Sequence, residues 1–165
     1  PVNAKLVLLR QRRSAMQPIT WSDNLLLDYE PMDSVHRDFI AVLGAAQTAN
    51  DASLEKAWMD VIEHTRTHFA REDEWMRHSG FASAENHILQ HRVVLNVLRE
   101  GLALARSGQH AAVREMAGEL AAWFGKHAQT QDAALALHMR RLGTDAARIG
   151  RKPVLTASRR HAGHG

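Results

Sequence analysis

His68-Phe69-Ala70-Arg71-Glu72-Asp73-Glu74-Trp75-Met76, followed beyond Gly80 by His87-Ile88-Leu89-Gln90-His91, is the stretch on which the reading of this 165-residue chain turns. His68 and Glu72 are four apart, and so are His87 and His91. On a helix each pair stacks on one face, a turn apart. The faces continue in apolar residues. Before His68 come Trp58, Val61 or Ile62, and Thr65; after Glu72 come Trp75 and Met76. After His91 come Val94, Leu98, Leu102 and Ala105, in steps of three or four. Histidine therefore stands where leucine is expected, and burying an unpaired imidazole is costly. A lone histidine of this kind is most simply a hydrogen-bonded core residue. Two ligand-type pairs on neighbouring helices are a stronger signal.

Working outward, Ser53 is placed to cap a helix over Leu54–His78, with Gly80 at its left-handed end. Ser83 is placed to cap a helix over Ala84–Ala105, and Ser107-Gly108 makes the next turn. A further helix starts near Gln109, carries Val113, Met116, Leu120, Trp123 or Phe124, and His127, and runs to about Leu142 before Gly143. Upstream, Asp33 is a candidate cap for a first helix over Ser34–Ala49, ended by Asn50-Asp51. Its apolar face is Val35, Phe39, Val42, Leu43 and Ala46, and it carries His36. Strand-like alternation is absent. The expected fold is all-α, an antiparallel up-down four-helix bundle with an irregular N-terminal arm and a C-terminal tail. The expected boundaries are 1–20 for the arm, 21–145 for the bundle and 146–165 for the tail, which contains Pro153. Each of the four helices then offers at least one histidine to a shared volume.

The chain has no cysteine. That excludes disulfides, thiolate zinc sites, cysteine-ligated iron–sulfur clusters and attached c-type haem. A metal here must use imidazole, carboxylate and water, a set that suits iron, zinc or manganese. No apolar run approaches the ~20 residues that span a bilayer. Leu6–Leu9 is too short for a secretory core, so the expected location is cytoplasmic, with no membrane partner. The net charge of +3 is uneven: residues 1–13 carry +4, residues 148–165 carry +5, and residues 14–147 carry −6. The basic ends read as solvated tails. They lack aromatic residues for stacking on bases, and no nucleic-acid partner is expected.

The ligand types invite comparison with ferritin-like di-iron bundles, but the chain has no Glu-x-x-His, and it also lacks the His-Glu-x-x-His of zinc proteases. The pattern instead resembles the hemerythrin family, in its short bacterial form. His36-Arg37-Asp38-Phe39 matches the family's first-helix His-x-x-Phe. His68-Phe69-Ala70-Arg71-Glu72-Asp73 matches its His-Phe-x-x-Glu-acid run, with Met76 beyond it. His87 and His91 supply His-x-x-x-His, and Trp123-x-x-x-His127-x-x-x-x-Asp132 matches the last element. Trp21 and Met32-Asp33 are similar to the family's lead-in segment, so the match covers about residues 21–135.

The resemblance implies a non-haem di-iron centre that binds dioxygen. His87, His91 and His127 would hold one iron, and His36 and His68 the other. Glu72 and Asp132 would bridge them, with an oxo or hydroxo group as third bridge. Two ferrous ions set against these carboxylates and a hydroxide leave about +1, far cheaper to bury than bare ions. A reversible oxygen carrier, store or local supplier is the leading reading, rather than an enzyme. An oxygen or redox sensor, and an enzyme reducing peroxide or nitric oxide at the iron pair, remain alternatives, with a protein partner and oligomeric state unassigned.

Asp132 follows His127 by five residues, about 500° on an ideal helix and so about 140° off its direction. Both reach one site only where the helix is irregular, as at a π-bulge. His64 precedes His68 by a turn, where the family often has an aromatic residue. It is a candidate for a hydrogen bond to a ligand, against the simpler reading of a half-buried histidine. Phe124 and Trp123 are candidates for the wall of the oxygen pocket, or ordinary core. His78, His110, His138, His161 and His164 match no motif and are expected at the surface.

Overall fold

The structure, a computed structural model, describes residues 17–143. Both basic tails, Leu6–Leu9, Pro153, His161 and His164 lie outside the described residues. The helices are α1 (Glu30–Thr48), α2 (Asp51–Ser79), α3 (Ala84–Arg106), α4 (His110–His127) and α5 (Ala133–Arg141). A π-helical segment, Ala128–Asp132, joins α4 to α5 without a break in direction, and a single 3-10 turn, Asp23–Leu25, precedes α1. No strand occurs among the described residues. α1 packs on α2, α2 on α3, α3 on α4 and α4 back on α1. With connections as short as Ala49-Asn50 and Ser107–Gln109, this is the expected up-down bundle.

Helix starts differ from expectation in two places, for one reason. α1 begins at Glu30, not Ser34, because Pro31 suits the first turn and Asp33 works from inside the helix. Its carboxylate accepts the backbone N–H groups of Leu27 (2.8 Å) and Tyr29 (3.0 Å), securing the incoming chain instead of starting the helix. α2 begins at Asp51 because Asn50, expected to end α1, caps α2: its side chain accepts the N–H of Ser53 at 3.0 Å. Asp33 is an acceptor but serves the incoming chain, and Ser53, expected as the cap of α2, is instead the donor to Asn50. Ser83 does precede α3, without a side-chain capping bond. Gly80 adopts the left-handed conformation that ends α2, with φ 67°.

The inward faces follow the expected stripes with small shifts. Ile40 joins the core of α1, where Val35 and Val42 are only partly buried. Val61, not Ile62, points inward on α2; Phe124, not Trp123, does so on α4; Leu102 is only partly buried. The apolar core is in two pieces. The larger includes Phe39, Leu43, Leu54, Trp58, Leu98 and Phe124; the smaller includes Met32, Trp75, Met76, Leu135 and Met139. Between them along every helix lie the buried polar residues: His36, His68 and Glu72, His87 and His91, His127 and Asp132. No described helix is long and apolar enough to cross a membrane.

Trp58 is wholly buried and locks α2 onto α3. Its indole N–H donates to the Leu98 carbonyl at 2.8 Å, and its ring lies on Gly101, where a Cβ would come within 2.6 Å of it. Gly101→Ala is therefore expected to destabilise the fold by about 1–3 kcal/mol. Gly125→Ala, on α4 with nothing near an added methyl, is expected to gain about 0.5–1 kcal/mol from helix propensity. Urea unfolding midpoints measure both. A gain in the first or a loss in the second would contradict this packing.

Candidate metal centre

Seven side chains converge between the two apolar clusters. α1 supplies His36, α2 His68 and Glu72, α3 His87 and His91, α4 His127, and the π-helical segment Asp132. All are buried, His36, Glu72, His87 and Asp132 completely. The i, i+4 spacing of α2 and α3 does what helix geometry requires, pointing both members of each pair inward. His127 and Asp132 meet because the π-helical segment bonds i to i+5, bringing the fifth residue back over the first. Nε2 of His127 is 3.1 Å from Asp132 Oδ1.

The carboxylates divide the histidines into a set of three and a set of two. Glu72 Oε1 faces His68 Nε2 (2.9 Å) and His36 Nε2 (3.9 Å), whereas Oε2 faces His91 Nε2 (3.3 Å) and His87 Nε2 (3.7 Å). Asp132 Oδ1 faces His87 and His127, each at 3.1 Å, and Oδ2 faces His36 at 3.2 Å. Donor atoms of Glu72, His87, His91, His127 and Asp132 lie within 4.8 Å of one another, and so do those of His36, His68 and Glu72.

The donor set fits metal ions. His36 Nε2, His91 Nε2, Glu72 Oε2 and both Asp132 oxygens are buried and have no hydrogen-bond partner in the protein. Orphaned polar atoms at this density are expensive, and a cation satisfies them together. The Nε2 atoms of His87 and His127 face each other at 3.0 Å, an arrangement suited to two lone pairs sharing a cation. Two rings are held in the right tautomer from outside. His91 Nδ1–H donates to Asp73 Oδ1 (2.8 Å) and His127 Nδ1–H to Gln90 Oε1 (3.1 Å), leaving each Nε2 lone pair directed inward.

The remaining histidines separate cleanly. His64 is half-buried, and its Nε2–H donates to the Val35 carbonyl at 3.2 Å; it packs on His68 ring to ring at 6.1 Å without a hydrogen bond to any of the seven. Burial, then the charge of His68, lower its pKa. Trp123 stacks on His127 at 4.3 Å, and Phe124 meets His36 edge-on at 5.1 Å. His78 is exposed, as expected. His110 and His138 are half-buried instead: His110 lies 3.4 Å from Asp51 Oδ2, and His138 contacts the Ser79 carbonyl and hydroxyl. Asp73 enters the sequence reading only as the acid that closes the family's run, and neither it nor Gln90 has a role assigned there. Each is adjacent in the chain to a site residue, on the side of the helix that periodicity assigns to solvent.

A buried bundle site of five imidazoles and two carboxylates defines a metal-binding protein of the histidine-rich helical class. The profile of the hemerythrin HHE cation binding domain matches residues 27–136, and the chain belongs to the hemerythrin family. It is 33% identical over 131 residues to a bacteriohemerythrin of Ralstonia nicotianae, covering 79% of this chain and 96% of that one. A bacteriohemerythrin of Stenotrophomonas maltophilia is 27% identical over 125 residues (73% and 81%), and one of Pseudomonas aeruginosa 22% over 122 (72% and 79%). No solved structure matches the chain.

The electrostatics give a pH profile for the metal-free protein. Burial and the Asp132 charge push the Glu72 carboxyl up, but His68 and His91 outweigh them and hold it at about 2. Burial raises Asp132 as well, yet His127, His36 and His87 keep it well below the ordinary carboxylate value. Burial lowers His91, but Asp73 and Glu72 raise it to about 9. Carboxylates with lowered pKa stabilise the fold fully above about 4.5 and lose this as pH falls toward about 2. A raised histidine stabilises it fully below about 6.5 and loses this as pH climbs through about 9. The metal-free chain is thus expected to be most stable between about pH 4.5 and 6.5. Denaturation midpoints that kept rising from pH 6.5 to 9 would contradict the assignment.

Proposed function

We propose that this chain holds two iron ions and binds dioxygen reversibly, as a carrier, store or local supplier. The observation that carries the reading is the division of labour in Glu72 and Asp132. Each directs one oxygen to the three-histidine set and the other to the two-histidine set, the disposition a bridging ligand needs. His87, His91 and His127 would hold one iron, His36 and His68 the other, with an oxo or hydroxo bridge completing the centre. Iron held by these residues would supply a redox-active pair, and the two-histidine set would offer its ion one protein ligand fewer than the three-histidine set.

The chain's own residues do the rest. Phe124 covers His36 and packs on Phe39 at 4.5 Å, making an apolar wall beside the two-histidine half. Such a wall excludes water, which disfavours loss of oxygen in reduced, charged form. Phe69 lies flat on His91 at 3.8 Å and Trp123 on His127, so two rings of the three-histidine set are fixed by stacking as well as by hydrogen bonds. Zinc or manganese would satisfy the same donors, and metal analysis of the purified chain distinguishes them from iron.

Anaerobic reconstitution with Fe²⁺ tests the reading. The expected outcome is two irons per chain, and a visible charge-transfer band that appears with oxygen and disappears when oxygen is removed. A stoichiometry well below two would overturn the di-iron centre. An irreversible band would overturn the carrier, and steady consumption of oxygen or peroxide with a reductant would favour an enzyme. His87→Ala is expected to lose most of the iron, whereas His64→Ala retains about two. Equal losses would show that the ligands are misassigned.

A further inference from the structure

Asp73 follows Glu72 in α2 and connects the centre to the surface. Its Oδ1 accepts from His91 Nδ1–H at 2.8 Å, and its Oδ2 accepts from Arg77 Nη2–H at 3.4 Å. The Asp73 side chain is 18% exposed and that of Arg77 57%, so three residues lead from solvent to the outer nitrogen of a buried imidazole. The arrangement is particular to His91. The outer nitrogen of His127 has a neutral partner, Gln90, and Nδ1 of His36, His68 and His87 has no hydrogen-bond partner.

A carboxylate that accepts the Nδ1 proton makes the imidazole more basic, and its Nε2 a stronger electron donor. A stronger donor favours the more highly charged state of a metal. A guanidinium on the same carboxylate works in the opposite sense, by drawing its charge away from the ring.

We propose that Asp73 is a positioning residue that acts through His91 to lower the reduction potential of the three-histidine metal, and that Arg77 moderates it from the surface. Neither residue touches the metal. This rests on the di-iron reading above. It adds that the two halves of the centre are electronically unequal, and that a surface charge sets part of the difference.

The full-length, iron-loaded chain tests this by redox titration in the absence of oxygen, following ferric absorption. Asp73→Asn keeps the shape and removes the charge. It is expected to shift the ferrous-to-ferric ratio at fixed potential about tenfold toward ferrous, or about 59 mV for one electron. Arg77→Gln is expected to shift the ratio about two- to threefold toward ferric. Arg71→Gln controls for net charge: that residue is exposed, lies over the Trp75 ring at 5.7 Å, and has no contact with Asp73, so a smaller shift than for Arg77→Gln is expected. An unchanged ratio in iron-replete Asp73→Asn would overturn the proposal, as would shifts of the same sign in Asp73→Asn and Arg77→Gln, or an Arg71→Gln effect matching Arg77→Gln. If Asp73→Asn does not take up iron, the comparison of Arg77→Gln with Arg71→Gln decides alone. Iron in the wild type with no effect of the substitutions defeats this proposal only; a wild type that takes up no iron defeats the di-iron reading with it.

Discussion

Two carboxylates buried at the middle of a helical core are the constraint on which the rest of this structure depends. Glu72 and Asp132 are wholly buried and, among the described residues, have no arginine or lysine partner; the partners that face them there are imidazoles. Either the imidazoles carry protons, or cations take their place. The protein is built so that both carboxylates serve both histidine sets at once. Losing either carboxylate would leave both sets sharing a single negative charge, and a buried charge left under-compensated costs several kcal/mol. The composition of the site follows from this: neutral imidazoles adjust to either state, whereas fixed cations would exclude metal.

The bundle meets the constraint with ordinary devices. Four antiparallel helices place one layer of each at the same height. The four-residue spacing on α2 and α3 lets single helices contribute pairs, and one widened turn corrects the phase of Asp132. Aromatic rings then restrict the imidazoles. Phe69 and Trp123 stack on two of them, and Phe124 closes on His36. The locking of α2 to α3 through Trp58 and Gly101 sits farther along the bundle and fixes the separation at which His68 and Glu72 meet His87 and His91.

Much of this was legible in the sequence, because helical periodicity reports which side chains share a face. His36, His68, Glu72, His87, His91 and His127 stand on apolar stripes, so placing them together needed only a bundle. Asp132 did not follow from periodicity. An ideal helix turns it away from His127, and the π-helical segment that returns it leaves no signature in residue type; only the family resemblance indicated it. The roles of Asp73 and Gln90 were missed because they lie on the outward side of their helices. An imidazole has two nitrogens on opposite sides of its ring, so its outer partner comes from just those positions that a core pattern discards. The starts of α1 and α2 were misplaced since Asp33 and Ser53 are good cap residues by type, but Asp33 reaches backward and Ser53 is a donor to Asn50 rather than the cap itself.

The polar layer also divides the core into two apolar halves, one around Trp58 and Leu43, the other around Met32, Trp75 and Met139. A continuous hydrophobic interior transmits unfolding from end to end, because every side chain loosened exposes its neighbours. Here that continuity is interrupted by a belt whose attraction depends on what it holds. With cations in place, one cluster of coordinate bonds joins all four helices and the halves must open together. Without them, the smaller half, which includes the last turns of α2 and the whole of α5, is joined to the larger mainly by the helices that pass through both. The same ions that would bind oxygen would therefore decide whether this domain unfolds as one cooperative unit or as two.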